Sequence, residues 1–196
     1  MIVELVLSAM PGAYPSAFLA PLPASARADA LCDHCPPSAA LIPSVSVPYE
    51  VRTSHAEPRA LAAVRGAAAR EQLGTGIIRM LDLVWPVLRG QGVRTGHNVV
   101  VYYGGLQNIA AGVEVFSDFT DSGEVQHLAT PSGEVAMATH YGEYSEMRPA
   151  YEALDRWLAD HGRRPAWVSW EIYGDWEDDP AKRRTDVYFL LEPEAA

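Results

Sequence analysis

A chain of 196 residues in which 48% are hydrophobic is long enough to form one compact domain with its own core. Its formal net charge of −10 argues against the basic face that nucleic-acid-binding proteins carry, so we expect no direct nucleic-acid partner. The sequence has no run of about 18 apolar residues and no basic segment at its N-terminus. We therefore expect neither a membrane span nor a secretory signal, and a cytoplasmic location.

The first 44 residues differ from the rest of the chain in composition. Seven prolines from Pro11 to Pro43 interrupt any helix or strand, which predicts a Pro/Ala-rich, disordered extension over residues 1–44 that adds little to the core. The only cysteines, Cys32 and Cys35, lie within it. Zinc needs four ligands, and a redox pair needs a strand before it and a helix after it. We therefore predict no metal and assign these cysteines no function.

Residues 45–196 contain an internal repeat, with one copy at about residues 48–119 and a second at about 124–192. Two matches define it, both at an offset of 70 residues: Tyr102–Gly104 with Ile172–Gly174, and Gly92 with Gly162. The apolar pattern between these matches also repeats. The sequence therefore predicts a duplicated unit rather than two unrelated halves.

Each copy has one segment with the apolar spacing of an amphipathic helix, i, i+4, i+7, i+11. The residues on these two faces are Ile77, Leu81, Val84 and Leu88 in the first copy, and Met147, Tyr151, Leu154 and Leu158 in the second. Both helices are expected to end at a glycine in the left-handed conformation, Gly92 and Gly162. Ser145 is the expected N-cap of the second helix.

Two predicted strands precede each helix and two follow it. The pairs before the helices are expected to be hairpins, Tyr49–Ser54 with Arg59–Val64 and Glu124–Ala129 with Glu134–His140. The strands after the helices are Asn98–Tyr103, Val113–Asp118, Trp167–Tyr173 and Thr185–Leu191. This duplicated strand-strand-helix-strand-strand unit predicts the α+β class, with an antiparallel sheet, two long helices on one face and a cleft at the pseudo-twofold junction.

A carboxylate stands among aromatic residues in the strand that follows the second helix. Glu171 shares one strand face with Tyr173, whereas Trp170 lies on the other face. A buried carboxylate with aromatic neighbours suits a pocket for a cation, or a general acid or base. The alternative is an ordinary solvated Glu on an exposed face. Aligning the two copies places Val101 at the position of Glu171, and this asymmetry favours a pocket.

Three segments together carry a resemblance to a known family, and the resemblance covers roughly residues 48–192. They are Ala138–Met147, Trp170–Asp175 and Thr185–Leu191. The chain resembles the GyrI-like family of small-molecule-binding domains, which also forms the effector-binding domain of some bacterial multidrug-responsive and AraC-type regulators. Because the chain has no pattern for a helix-turn-helix, we expect a stand-alone form.

The resemblance also implies a site. Family members have an aromatic-lined cleft with a Glu on the strand that matches Glu171; it contacts bound cations or, in some enzymatic members, assists hydrolysis of strained cyclopropane-containing toxins. Glu114 lies mid-strand and is a second candidate acid, although an outward-facing Glu is commoner on such a strand. The candidate ligand-binding residues are Glu171, Tyr173, Trp170, Tyr141, Tyr144, Tyr103 and Glu114.

Two functions remain open at this point. The first is a non-enzymatic protein that senses or sequesters amphipathic, cationic small molecules. The second is a hydrolase of strained electrophiles in which Glu171 and Tyr173 are catalytic. Both predict a small-molecule partner and no cofactor, and both leave the oligomeric state open.

Overall fold

The computed structural model describes residues 49–194, so the predicted extension and its two cysteines lie outside the described residues. Ten regular elements follow one another in this range: β1 (Arg52–Ala56), β2 (Ala60–Gly66), α1 (Leu73–Gln91), β3 (Thr95–Tyr103), β4 (Ile109–Val115), β5 (Gln126–Ala129), β6 (Gly133–Tyr141), α2 (Arg148–His161), β7 (Pro165–Tyr173) and β8 (Arg184–Leu191). Short 3₁₀ segments occur at Arg70–Gln72, Tyr144–Glu146 and Pro180–Lys182. No helix in this range is long and apolar enough to cross a membrane.

All eight strands form one antiparallel sheet in the order β1-β6-β8-β7-β3-β4-β2-β5. Val84 of α1 belongs to one core cluster with Val100 of β3, and Leu154 of α2 belongs to another with Val187 of β8. Val100 and Val187 both pair in register with Glu171 of β7, so they point to the same side of the sheet. Both helices therefore cover one face, which confirms the predicted α+β class.

The two predicted hairpins are wrong. β1 pairs with β6 instead of β2, and β5 pairs with β2 instead of β6. The first strand of each copy therefore pairs with the strands of the other copy, which form the other half of the sheet. Turn residues between two strands show where the chain changes direction, but pairing depends on distant contacts that the local sequence does not encode.

This strand exchange requires the sheet to curl. β1 and β2 stand six strand spacings apart, about 29 Å in a flat sheet, but only residues 57–59 connect them, and that linker reaches at most about 14 Å. The equivalent linker at 130–132 meets it: the Thr130 N–H donates to the Arg59 carbonyl at 3.0 Å, and the Arg59 N–H donates to Thr130 Oγ1 at 2.9 Å. The helices thus lie on the convex face of a strongly curled sheet.

A third core cluster fills the concave face. Its buried members come from both half-sheets: Leu61, Ala63, Val99, Val101, Val135, Trp170 and Ile172. Both faces of β4 are therefore buried along its whole length. This explains why β4 shows no alternating pattern and runs over Ile109–Val115 rather than the predicted Val113–Asp118.

The helix ends agree with the predictions at the C-termini and differ at one N-terminus. Gly92 and Gly162 both adopt the left-handed conformation, with φ of 65° and 61°, and their N–H groups bond back into the last turn. The expected N-cap at Ser145 is wrong, because that residue lies in the 3₁₀ segment and α2 begins at Arg148. Pro149 explains the shift, since proline fits the first helical turn but not a position further in.

Candidate functional site

Glu171 lies at the centre of the sheet, on the face that the two helices cover. Its side chain is 2% exposed. Three phenol groups donate hydrogen bonds to it: Tyr102 of β3 to Oε2 at 3.0 Å, Tyr173 of β7 to the same oxygen, and Tyr151 of α2 to Oε1. The site is therefore assembled from two strands and one helix around a single carboxylate.

The electrostatic feature of this cluster is a buried acid without a basic partner. Within residues 49–194, no Lys, Arg or His forms an ion pair with Glu171. Burial raises the pKa of Glu171, and the three phenol hydrogen bonds oppose that effect. Burial, followed by the nearby carboxylate, holds the pKa values of Tyr102, Tyr151 and Tyr173 well above their usual range, so they act as neutral donors.

One side of the cluster reaches the surface. Tyr144, in the 3₁₀ segment before α2, contacts Tyr173 edge-on with ring centroids 5.3 Å apart. Both of these tyrosines are half-buried, whereas Tyr102 and Tyr151 are buried. The pair of Tyr144 and Tyr173 therefore forms the wall between Glu171 and solvent. We call Glu171 with its four tyrosines, Tyr102, Tyr144, Tyr151 and Tyr173, the tyrosine cluster.

Of the residues predicted from sequence, Glu171, Tyr173 and Tyr144 come together in this cluster. The other four lie on the opposite, concave side of the sheet or at its rim: Trp170, Tyr103, Tyr141 and Glu114. These four are not brought to Glu171, because neighbouring positions on a strand alternate between faces. Their proposed ligand contacts would have to be made at the concave face.

The concave face has its own polar surroundings. Trp170 stacks on Tyr188 with centroids 5.1 Å apart, and Glu114, 7% exposed, accepts a hydrogen bond from Arg59 at 3.1 Å. Tyr141 lines a cavity of about 450 Å³ whose other walls are mostly charged side chains. Because Arg59 neutralises Glu114, this acid lacks the unpaired character of Glu171.

A β-bulge explains why the sequence pointed to Tyr103 and not to Tyr102. Between the helix ends and the centre of the sheet, β3 has one extra residue relative to β4, whereas β7 has two relative to β8. Trp167, at φ 58°, lies in the β7 irregularity. At the centre of the sheet, structurally equivalent residues of the two copies are therefore 71 residues apart instead of 70. Tyr102 is then equivalent to Tyr173, and Val100, not Val101, is equivalent to Glu171.

Tyr151 was missed for a different reason. Its helical spacing with Leu154 predicts a core residue, and the side chain is indeed buried at 4% exposure. The signal that could have identified it is its phenol, because a buried tyrosine hydroxyl usually finds a hydrogen-bond partner. An unmatched acid on the central strand, Glu171, is the natural acceptor.

Replacing Glu171 with Gln should make stability less dependent on pH. Because the folded-state pKa of Glu171 is raised above its ordinary value of 4.5, ionisation disfavours the folded wild type. The protonated Glu171 side chain contributes stability that is fully present below about pH 4.5 and is lost as the pH rises through the raised pKa. Each tenfold change in the acid dissociation constant corresponds to about 1.4 kcal/mol. We therefore expect Glu171→Gln to unfold with a higher free energy than wild type at neutral pH.

Urea unfolding of both proteins between about pH 4 and pH 8 measures this difference. The gap should be small at the acid end, where both side chains are neutral, and should open as the pH rises. A gap that stays constant, or a Gln variant that loses stability relative to wild type with rising pH, would contradict the raised pKa.

Residues 104–192 match the model of the GyrI-like small molecule binding domain. Over this range, the match confirms the resemblance predicted from sequence. No curated protein matches the sequence significantly.

Solved structures share the fold at low sequence identity. The C-terminal domain of EcmrR is 18% identical, with a TM-score of 0.63, and the match covers 74% of this chain and 98% of that domain. EcmrR in a complex with DNA gives 18% identity and a TM-score of 0.62, over 74% of this chain and 58% of EcmrR. A hydrolase from Listeria innocua gives 12% identity and a TM-score of 0.50, over 73% of this chain and 92% of that protein.

Proposed function

We propose that this protein binds amphipathic small molecules that carry a positive charge, for sensing or sequestration. The observation that carries the proposal is the Glu171 carboxylate, which is buried and held only by three neutral phenols. A carboxylate that lacks a basic partner attracts a cation strongly in a site of low dielectric. The ligand supplies the charge that residues 49–194 do not.

The tyrosine cluster fits the apolar part of such a ligand. Tyr144 and Tyr173 present ring surface at the half-exposed side of the cluster, and aromatic faces attract cations as well as apolar groups. A ligand entering here would place its charge near Glu171 and its apolar body against the two rings. In doing so it would replace a hydrogen bond that a phenol donates to the carboxylate.

A matched pair of probes tests this proposal. Phenyltrimethylammonium and tert-butylbenzene have the same shape and differ in charge, and calorimetric titration measures both. We expect saturable binding of the cation, at least about tenfold tighter than the neutral probe, equivalent to about 1.4 kcal/mol. The preference should persist at about 0.5 M salt, because salt screens the chain's surface charges more than a buried one. Equal affinity for both probes would refute a cation site.

A hydrolase is the second candidate, and one observation favours it. Burial raises the pKa of Glu171, and phenol donors surround it, as general acid–base chemistry on an already strained electrophile would require. Turnover separates the two functions. Product formed in excess over protein from a cyclopropane-containing electrophile, and lost in Glu171→Gln, would establish the hydrolase. Stoichiometric binding without product favours the binding protein.

A further inference from the structure

Two buried polar atoms lack a hydrogen-bond partner in the described part of the chain. They are Asn98 Oδ1 and Thr185 Oγ1. Asn98 of β3 and Thr185 of β8 both pair in register with Tyr173 of β7, one on each side. Thr185 is 0% exposed, so solvent does not reach its hydroxyl. The two orphan oxygens therefore flank the residue that stands between Glu171 and solvent.

These oxygens lie on the same face as Glu171. Residues paired in register point to one side of a sheet, and so do Tyr173 and Glu171, two positions apart on β7. Asn98 and Thr185 each lie one strand spacing from Tyr173, about 4.8 Å, and Glu171 lies two residues along the same strand, roughly 7 Å away. Three residues with oxygen acceptors thus adjoin Tyr173 on this face of the sheet: Glu171, Asn98 and Thr185.

A buried oxygen that makes no hydrogen bond disfavours the folded state. A buried acceptor without a donor loses the hydrogen bonds that water gave it in the unfolded chain. A ligand that carried N–H groups would restore them, whereas a ligand with only methyl groups around its charge would leave them unmade. The arrangement therefore discriminates between two kinds of cation.

We infer that the site selects cations that carry N–H donors, such as protonated amines, amidiniums and guanidiniums, over quaternary ammonium ions. This inference rests on the proposed function, since it names the ligand class of the same site. The charge of the ligand is held by Glu171. Its N–H groups are held by Glu171, Asn98 and Thr185.

Benzamidinium and phenyltrimethylammonium test the inference by calorimetric titration. Both are aromatic organic cations with one positive charge, and only benzamidinium has N–H groups. We expect wild type to bind benzamidinium at least about tenfold more tightly, on the scale of one or two recovered hydrogen bonds. Equal affinities would overturn the inference and leave the cation site intact. Binding of neither probe would overturn the proposed function as well.

Two variants remove the orphan oxygens at nearly constant shape, Thr185→Val and Asn98→Leu. Each should weaken benzamidinium binding about fivefold and leave phenyltrimethylammonium within about twofold. Each should also melt at or above the wild-type temperature, because an apolar group replaces an unsatisfied polar one. Thr139→Val is the matched control, since the Thr139 hydroxyl donates to Asp186 on the other face at 2.7 Å; it should bind both probes like wild type. Equal weakening of both probes, or a fall in melting temperature in both orphan-oxygen variants, would overturn the inference.

Discussion

Glu171→Gln should lose at least about 30-fold in affinity for an aryl cation, equivalent to about 2 kcal/mol. The substitution keeps the shape and a hydrogen-bond acceptor for the phenols but removes the charge that faces the ligand. Removing one partner of a buried charge pair costs about 2–5 kcal/mol. We expect the lower end of this range, because the neutral Gln leaves no uncompensated charge buried in the protein. Calorimetric titration of benzamidinium measures the loss.

A matched substitution separates the site from the general acidity of the chain. Glu152→Gln removes the same charge from a half-exposed side chain on α2, where Glu152 pairs with Arg148 at 2.8 Å. We expect it to bind the cation like wild type, because exposed charges contribute little through solvent. Saturable binding that survives Glu171→Gln unchanged would rule out the role assigned to this carboxylate.

Gly112→Ala should destabilise the fold by about 3 kcal/mol or more. A Cβ at this position of β4 would lie 2.3 Å from the Ala62 carbonyl oxygen and 2.4 Å from the Ala63 Cβ, both on β2. Backbone atoms cannot give way as a flexible side chain can, so the pairing of the two strands would have to shift. Urea unfolding of the variant and of wild type measures the loss.

Gly90→Ala is the control for this prediction. Gly90 lies in the last turns of α1, and a Cβ there meets no atom within 4 Å. Gly90→Ala should stabilise the protein by about 0.5–1 kcal/mol, because Ala has a higher helix propensity than Gly. A Gly112→Ala protein as stable as wild type would mean that β2 and β4 pair in another register.

Local features of the fold were predictable from the sequence. The helical spacing of apolar residues around Val84 predicted α1, and the same spacing around Leu154 predicted α2, each with its buried face. The glycines after the two helices marked their C-termini. These features depend on residues a few positions apart. Strand pairing does not, which is why β1 and β5 were assigned to hairpins although each joins the other half-sheet.

The geometry of the candidate site was predictable in part, for the same physical reason. Glu171 was identified because a carboxylate among aromatics contradicts an ordinary buried strand. Its partners Tyr102 and Tyr151 were not identified, since one depends on a bulge in β7 and the other on how α2 packs over the sheet. The orphan oxygens of Asn98 and Thr185 are evident only once three strands are in register.

The central claim is that the Glu171 carboxylate is the charge that holds the ligand, and proton release on binding tests it most directly. Because burial raises the pKa of Glu171, part of the protein is protonated there in mildly acidic solution, and a cation must displace that proton. Calorimetric titration with benzamidinium at a series of pH values upward from about 4.5, in buffers of different ionisation enthalpy, counts the protons released; the probe's own charge stays constant over this range. We predict proton release by wild type, affinity that rises with pH, and loss of both in Glu171→Gln. The same affinity and the same proton release in the two proteins would contradict the claim.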